Sequence, residues 1–167
     1  MATVSVRPAT PADVEAITAI YNEGIEDRVA TFETRLRAPA EVAAWLDDGR
    51  PFLVAERGGR VAGFARAAPY SPRPVYATVG EHAVYIAREA RGAGVGGVLL
   101  GELVRAAERA GLHKLTSRVF TDNAASRAVH RAAGFEEVGI QRRHALLDGE
   151  WRDCVLVERL LGDAAHG

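Results

Sequence analysis

The sequence predicts an α/β fold: a single domain built on a mixed central β-sheet flanked by helices. Three observations carry this prediction. Apolar residues alternate with polar ones in short runs and recur at helical spacing in longer ones. The resulting order, β-α-α-β-β-β-α-β-α-β-β, suits one layered sheet with helices packed on it. A glycine-rich stretch, Arg91-Gly92-Ala93-Gly94-Val95-Gly96-Gly97, joins a strand directly to a helix.

Taken in order, Val4-Ser5-Val6-Arg7 alternates as a strand does and stops at Pro8. Thr10-Pro11-Ala12-Asp13 opens a helix, with Thr10 as N-cap, Pro11 in the first helical position and an acid in the first turn. Val14, Ile17, Ile20, Tyr21 and Gly24 continue it at helical spacing. The segment Val29-Ala30-Thr31-Phe32-Glu33-Thr34 interrupts the pattern before a short helix over residues 39–47. Phe32 is there either as ordinary core or as part of a substrate wall.

Residues 52–56 and 60–65 are two strands of a hairpin closed by Arg57-Gly58-Gly59-Arg60. Pro69-Tyr70-Ser71-Pro72-Arg73-Pro74-Val75-Tyr76 reads as a stiff surface loop, because its prolines restrict the backbone. A strand from Ala77 to Ile86 leads into the glycines. Val95, Leu99, Leu103, Ala106 and Ala110 then form one helical stripe ended by Gly111. Residues 115–120 are a strand, and Asp122 or Asn123 caps a helix that reaches Ala133 and stops at Gly134. Residues 136–144 and 151–159 are closing strands around the turn Leu147-Asp148-Gly149-Glu150.

The 167 residues are of single-domain size, with no internal repeat, linker or low-complexity tract. A net charge of −1 supplies no global attraction to nucleic acid or to a membrane surface. Cys154 is the only cysteine, which excludes an intramolecular disulfide and suits a reducing compartment. It reads as a packed strand residue. With no signal-peptide pattern and no long apolar run, the expected location is cytoplasmic.

A glycine-rich turn between a strand and a helix N-terminus is a site for anionic groups. Bare backbone N–H groups can approach the ligand, and the helix dipole favours negative charge there. Three phosphate-bearing cofactors compete for it. Gly92, Gly94 and Gly97 satisfy the dinucleotide spacing G-x-G-x-x-G. That reading needs an acid at the end of the next strand to hold a ribose, and residues 114–119 contain none. A nucleotide P-loop needs a closing Gly-Lys-Ser/Thr, also missing. The third reading takes Arg91-Gly92-Ala93-Gly94-Val95-Gly96 in another register, Arg/Gln-x-x-Gly-x-Gly/Ala.

In that register the loop resembles the pyrophosphate loop of the GNAT N-acetyltransferases. Asn123-Ala124-Ala125-Ser126, His130 and Gly134-Phe135 resemble the second block of that family, and the resemblance covers essentially the whole chain. It implies a strand at Val84-Tyr85-Ile86 that splays from its neighbour and pairs with the pantetheine arm of acetyl-CoA. The residues agree, since Asn123, Ser126 and His130 recur on one face of a helix that could follow that arm. Read alone, they are equally an N-capped surface helix. The cofactor-binding set implied is Val84, Tyr85, Ile86, Arg91, Gly92, Ala93, Gly94, Val95, Gly96, Gly97, Asn123 and Ser126, with no metal.

The sharper resemblance is to the subgroup acting on phosphinothricin, methionine sulfoximine or arsinothricin. Ala30-Thr31-Phe32-Glu33-Thr34, Glu81-His82-Ala83-Val84-Tyr85-Ile86 and Leu147-Asp148-Gly149-Glu150-Trp151-Arg152-Asp153 carry it. The reaction implied is acetylation of the α-amine of a small glutamate-like amino acid. An α-amine of pKa about 8 is only roughly a tenth neutral at pH 7, so a base helps modestly and positioning supplies much of the rest. The resemblance implies Glu81 as the catalytic base, with an exposed strand acid as the plain alternative. It implies that His130 orients the reacting groups or protonates the departing thiolate, and that the Val84 N–H polarises the acetyl carbonyl.

Arg73 is the first candidate for the substrate carboxylate, because guanidinium grips carboxylate in bidentate fashion. Phe32, Tyr70 and Tyr76 are candidates for walls of the substrate pocket, and Arg73 as a solvated loop residue is the bland alternative. Arg118, Arg142 and Arg143 are further cations that the sequence does not rank. The resemblance also implies a homodimer, with residues 30–35 and the terminal hairpin as interface elements. Two other functions remain open: acetylation of a peptide or protein amine, and a non-catalytic acyl-CoA sensor.

Overall fold

A computed structural model describes residues 2–167. Its strands are β1 (Val4–Pro8), β2 (Phe52–Arg57), β3 (Arg60–Pro69), β4 (Val79–Ile86), β5 (Lys114–Phe120), β6 (Glu136–Leu147) and β7 (Glu150–Leu160). The helices are α1 (Val14–Glu26), α2 (Pro39–Ala43), α3 (Val95–Arg109) and α4 (Ala124–Ala132). The sheet runs β1-β2-β3-β4-β5-β7-β6. Only β4 and β5 pair in parallel. The predicted element order and the mixed sheet are both present.

Local chemistry explains the elements and the small departures from expectation. The first helical turn, Pro11–Asp13, is a 3-10 turn, and α1 proper begins at Val14. Thr10 stands at the N-cap, but Asp13 makes the polar bonds. Its carboxylate accepts from the Thr10 N–H at 2.8 Å and pairs with Arg7 at 2.8 Å. Arg7 holds the Asp13 carboxyl at a pKa of about 2, and the pair ties β1 to the start of α1. The predicted helix over residues 39–47 divides into α2 and a 3-10 segment, Ala44–Asp48. β3 runs to Pro69, beyond its predicted end at Ala65, and the proline loop contains a 3-10 turn at Pro74–Tyr76. β6 continues past His144 to Leu147 because the register shifts between Gln141 and Ala145, where Arg142 and Arg143 bulge out.

Adjacent residues of the central strands serve opposite faces of the sheet. Phe64 packs against Tyr21 of α1 and Tyr85 of β4. Its neighbour Gly63 lies on the other face, where an added Cβ would stand 3.1 Å from Leu99 of α3. Both layers are closed by fully buried side chains, among them Ile17 and Ile25 of α1, Leu99, Leu100 and Leu103 of α3, and Phe64 and Leu115 of the sheet. Each such side chain contributes about 1.5–3 kcal/mol on leaving water.

The sheet forks in its middle. β5 pairs with β7 along its whole length, from Lys114 to Phe120. With β4 it pairs only at Val79, Gly80 and Glu81. Beyond Glu81, β4 is held by β3 alone. Alternate peptide groups on its β5 side are left without a strand partner. The site is built at this fork.

Candidate active site

On the α3 side of the fork, β4 ends at Ile86 and a 3-10 turn, Arg88–Ala90, leads into the glycine loop. Gly92 and Gly94 have φ of 78° and 80°. An L side chain is strained at both, so these two glycines are required by backbone conformation. Gly94 caps α3, whose first N–H groups face the loop. At Gly97 a Cβ would meet nothing within 4 Å, so the α3 surface there is open. Loop, β4 and α4 enclose a cleft of about 440 Å³.

Its lining includes Val84, Tyr85, Ile86, Arg91, Gly92, Gly94, Val95, Gly96, Gly97, Asn123, Ser126 and His130. Of the predicted cofactor-binding set only Ala93 lies outside it. Two of these residues stand otherwise than the sequence suggests. The Tyr85 ring stacks on Phe64 at 5.2 Å within the core, so Tyr85 presents mainly backbone to the cleft. The Arg91 guanidinium is paired with Asp27 of α1 at 2.7 Å, and Arg88 shares the same carboxylate at 2.9 Å. Those two arginines hold the Asp27 carboxyl at a pKa of about 2.

Asn123 does two structural jobs at the entrance to α4. Its Oδ1 accepts the Ser126 N–H at 3.0 Å, and its Nδ2 donates to the Val29 carbonyl at 3.1 Å. The latter bond holds the segment after α1 across the fork. Arg28 adds a second tether to Asp148 of the β6–β7 turn at 2.7 Å. Phe32 follows in this segment and packs edge-on against Phe120, with ring centroids 4.9 Å apart. It also lines a second cavity, of about 220 Å³, which occupies the fork itself. Phe32 is thus both packing residue and wall.

The fork cavity is bordered by residues 81–85 of β4 and 117–120 of β5, together with Ser126 and His130 of α4. Glu81 stands at its edge, exposed and, among the described residues, in no ion pair. The register pairs Glu81 with Thr116, so Lys114, Thr116 and Arg118 of β5 share its face of the sheet. That face borders a third cleft, of about 330 Å³, walled by Tyr70 and Tyr76, with Gln141 and Glu158 across it. The two tyrosine rings meet edge to face at 5.5 Å.

The structure ranks the candidate cations. Arg118 lines both the fork cavity and the tyrosine-walled cleft. Its Nε donates to Gln141 at 2.8 Å, and no carboxylate among the described residues pairs with it. Arg73 lies outside both linings, with its guanidinium 5.9 Å from the Tyr76 ring centroid. Arg142 and Arg143 sit in the β6 bulge and line neither. Lys114 is paired with Glu158. Sequence reasoning did not single out Arg66, which shares a smaller cleft with Glu81 but is neutralised by Asp48 at 3.0 Å.

His130 borders both the cleft and the fork cavity but is only 6% exposed, and burial lowers its pKa. Its partner is a residue sequence reasoning did not single out. His82, next to Glu81 but on the opposite face of β4, places its Nε2 3.0 Å from Nε2 of His130. Burial, aided by the His130 charge, pushes His82 down to about 3. Cys154 is fully buried on β7, as expected of a packed strand residue. Among the described residues, no three His, Cys, Asp or Glu side chains gather as a metal site would require.

Known proteins share this arrangement. Residues 17–135 match the acetyltransferase (GNAT) family. A phosphinothricin N-acetyltransferase of Alcaligenes faecalis is 39% identical over 94% of this chain and 82% of its own. An L-methionine sulfoximine/L-methionine sulfone acetyltransferase of Pseudomonas paraeruginosa is 33% identical over 92% of each chain. Among solved structures, a phosphinothricin acetyltransferase of Sinorhizobium meliloti in complex with acetyl-CoA superposes with a TM-score of 0.92. It is 34% identical and covers 99% of this chain and 92% of its own. A ribosomal-protein-alanine N-acetyltransferase of Brucella melitensis gives a TM-score of 0.90 at 38% identity, over 94% of this chain and 99% of its own. With this match spanning most of the chain and the forked strand and glycine loop in place, the protein belongs to the GNAT acetyltransferase family.

Proposed function

We propose that the chain is a single N-acetyltransferase domain that uses acetyl-CoA to acetylate the α-amine of a small glutamate-like amino acid. Phosphinothricin, methionine sulfoximine and arsinothricin define the type, and detoxification or resistance is the role. The observation that carries the reading is the fork. One unpaired carboxylate, Glu81, stands where the cleft on the α3–α4 side meets the cleft on the opposite face.

The residues fit the donor. Gly92 and Gly94 bend the loop so that bare N–H groups and the α3 N-terminus converge, as pyrophosphate recognition requires. The unpartnered edge at Val84-Tyr85-Ile86 offers an extended pantetheine arm a ladder of peptide groups, and Ser126 adds a hydroxyl beside it. Ala93 contributes spacing, and the Arg91 side chain serves less than its backbone because Asp27 neutralises it.

In the mechanism Glu81 takes the proton of the attacking amine, directly or through water. The N–H of Val84 donates to the acetyl oxygen as it gains charge. Tyr70, Tyr76 and Phe32 wall the acceptor, and Arg118 grips an anionic group of it. Arg73 stays a candidate of second rank, at the rim beside Tyr76. Holding amine and thioester in line can supply several kcal/mol of the barrier reduction.

The alternatives fit less well. A peptide acceptor needs an open groove, whereas the tethered segment at Val29–Phe32 crosses the fork. A non-catalytic sensor has no use for an unpaired Glu81. Exposed Leu146 and Trp151 on the β6–β7 hairpin support a homodimer through that edge. A cytoplasmic location is consistent with a chain in which no described helix is long and apolar enough to cross a membrane. No metal, nucleic acid or membrane partner enters the reading.

The test is thiol release from acetyl-CoA by purified protein across a panel of amino acids, their phosphinic, arsinic and sulfoximine analogues, and N-terminal peptides. Turnover with glutamate-like amino acids supports the proposal. Turnover confined to peptides would move the protein to the peptide-acceptor reading, and none at all to the sensor.

A further inference from the structure

His82 and His130 form a buried pair whose proton positions can be read from the geometry. His82 is 2% exposed and His130 6%. Their Nε2 atoms are 3.0 Å apart, a contact that requires one N–H and one lone pair. The other end of His130 decides which atom holds which. Its Nδ1 lies 2.8 Å from the Ser126 carbonyl oxygen, which can only accept, so Nδ1 carries a proton.

A neutral His130 therefore presents a lone pair at Nε2, and the proton in the contact belongs to His82. His82 is then left with a bare Nδ1; the Thr116 backbone lies near this ring, but among the described residues no group makes a hydrogen bond to the buried Nδ1. Phe135 closes over both rings, at centroid distances of 4.8 and 5.2 Å. Other titratable or charged groups bordering the fork cavity are Glu81 and Tyr85, on the opposite face of β4, and Arg118 of β5. Ser126 and Phe135, against the pair from the α4 side, do not titrate.

We propose that His82 is a positioning residue that holds His130 as the neutral Nδ1–H tautomer, with both ring nitrogens engaged. His130 is then a strut that ties α4 to β4 across the donor cleft, and not an acid for the leaving group. A thiol with a pKa of about 8.5 is a stable enough anion near neutral pH to depart without a protein acid. The kinetic part of this inference rests on the acetyl-transfer reading; the structural part does not.

Two measurements test it. In ¹⁵N-histidine NMR of the whole chain at pH 7.5, His82 is expected as a neutral Nε2–H ring and His130 as a neutral Nδ1–H ring. Either ring in the other tautomer, or charged, overturns the proposal. In kinetics, His82→Gln retains an N–H donor and should keep kcat within about threefold, whereas His82→Leu should lower it about tenfold or more. A folded His82→Leu variant with the wild-type kcat would overturn the positioning role. Absence of turnover in the wild type would count against acetyl transfer itself, and the NMR spectrum would still decide the tautomers.

Discussion

The two faces of β4 are built by different means. On the α3 side the chain presents backbone: a loop bent at Gly92 and Gly94, the first peptide groups of α3, and a strand edge that β5 has left. On the Glu81 side it presents side chains from β4, β5, β6 and the proline loop. Backbone suits a donor whose long arm and pyrophosphate need little discrimination. Side chains suit an acceptor that must be told from other amino acids. Relatives can therefore share a donor site and differ in what they acetylate, as the names of the similar proteins illustrate.

The largest expected effect separates the two faces at their junction. Glu81→Gln should lower kcat by about ten- to a hundredfold. The deficit should be widest at low pH, where the amine is most protonated, and acetyl-CoA affinity should stay within twofold by calorimetry (about the scatter of an exposed substitution). Lost cofactor binding would instead place Glu81 on the donor side. Gly94→Val should do the reverse, forcing a β-branched residue to a φ of 80°. A strain of about 1–3 kcal/mol would weaken acetyl-CoA binding by about ten- to a hundredfold, with the fold intact by circular dichroism.

A smaller effect ranks the acceptor cations. Arg118→Ala should raise KM for an acidic amino acid by about tenfold with kcat little changed, the signature of lost ground-state binding. Arg73→Ala should do less. The reverse order would return recognition to the proline loop.

The smallest effect is on stability. Both histidines of the pair are lowered by burial. A group with a depressed folded pKa contributes stability that is present above its unfolded value, about 6.5, and lost as pH falls below it. Each can cost up to about 1.4 kcal/mol per pH unit in that range. Asp13, also depressed, acts in a separate window, from about pH 4 down to about 2. Thermal melts between pH 7 and 5 should therefore show a decline that His82→Gln reduces. An unchanged slope would show that the buried ring does not govern it.

The lining of the glycine-loop cleft was legible in the sequence because each signal is local. Glycine spacing, a helix N-terminus and an Asn cap all act within a few residues, and all but Ala93 of the expected set line one cleft. The clefts beside Glu81 were legible only in part. Tyr70 and Tyr76 line a cleft with Glu81, but Arg118 could not be ranked above Arg73, since its place depends on β5 lying beside Glu81 and on the lack of an acidic partner. His82 was missed because its meaning is a contact with a residue 48 positions away.

By itself the sequence determined the elements, their order, the glycine loop and the helix that follows it, because backbone conformation and amphipathic period are short-range properties. The tertiary structure decided where β7 inserts, how far β4 and β5 stay paired, which arginine lines the fork without an acidic partner and which two histidines meet. Those depend on strands meeting across the sheet. There the energy lies in contacts between distant residues, and no local pattern records them.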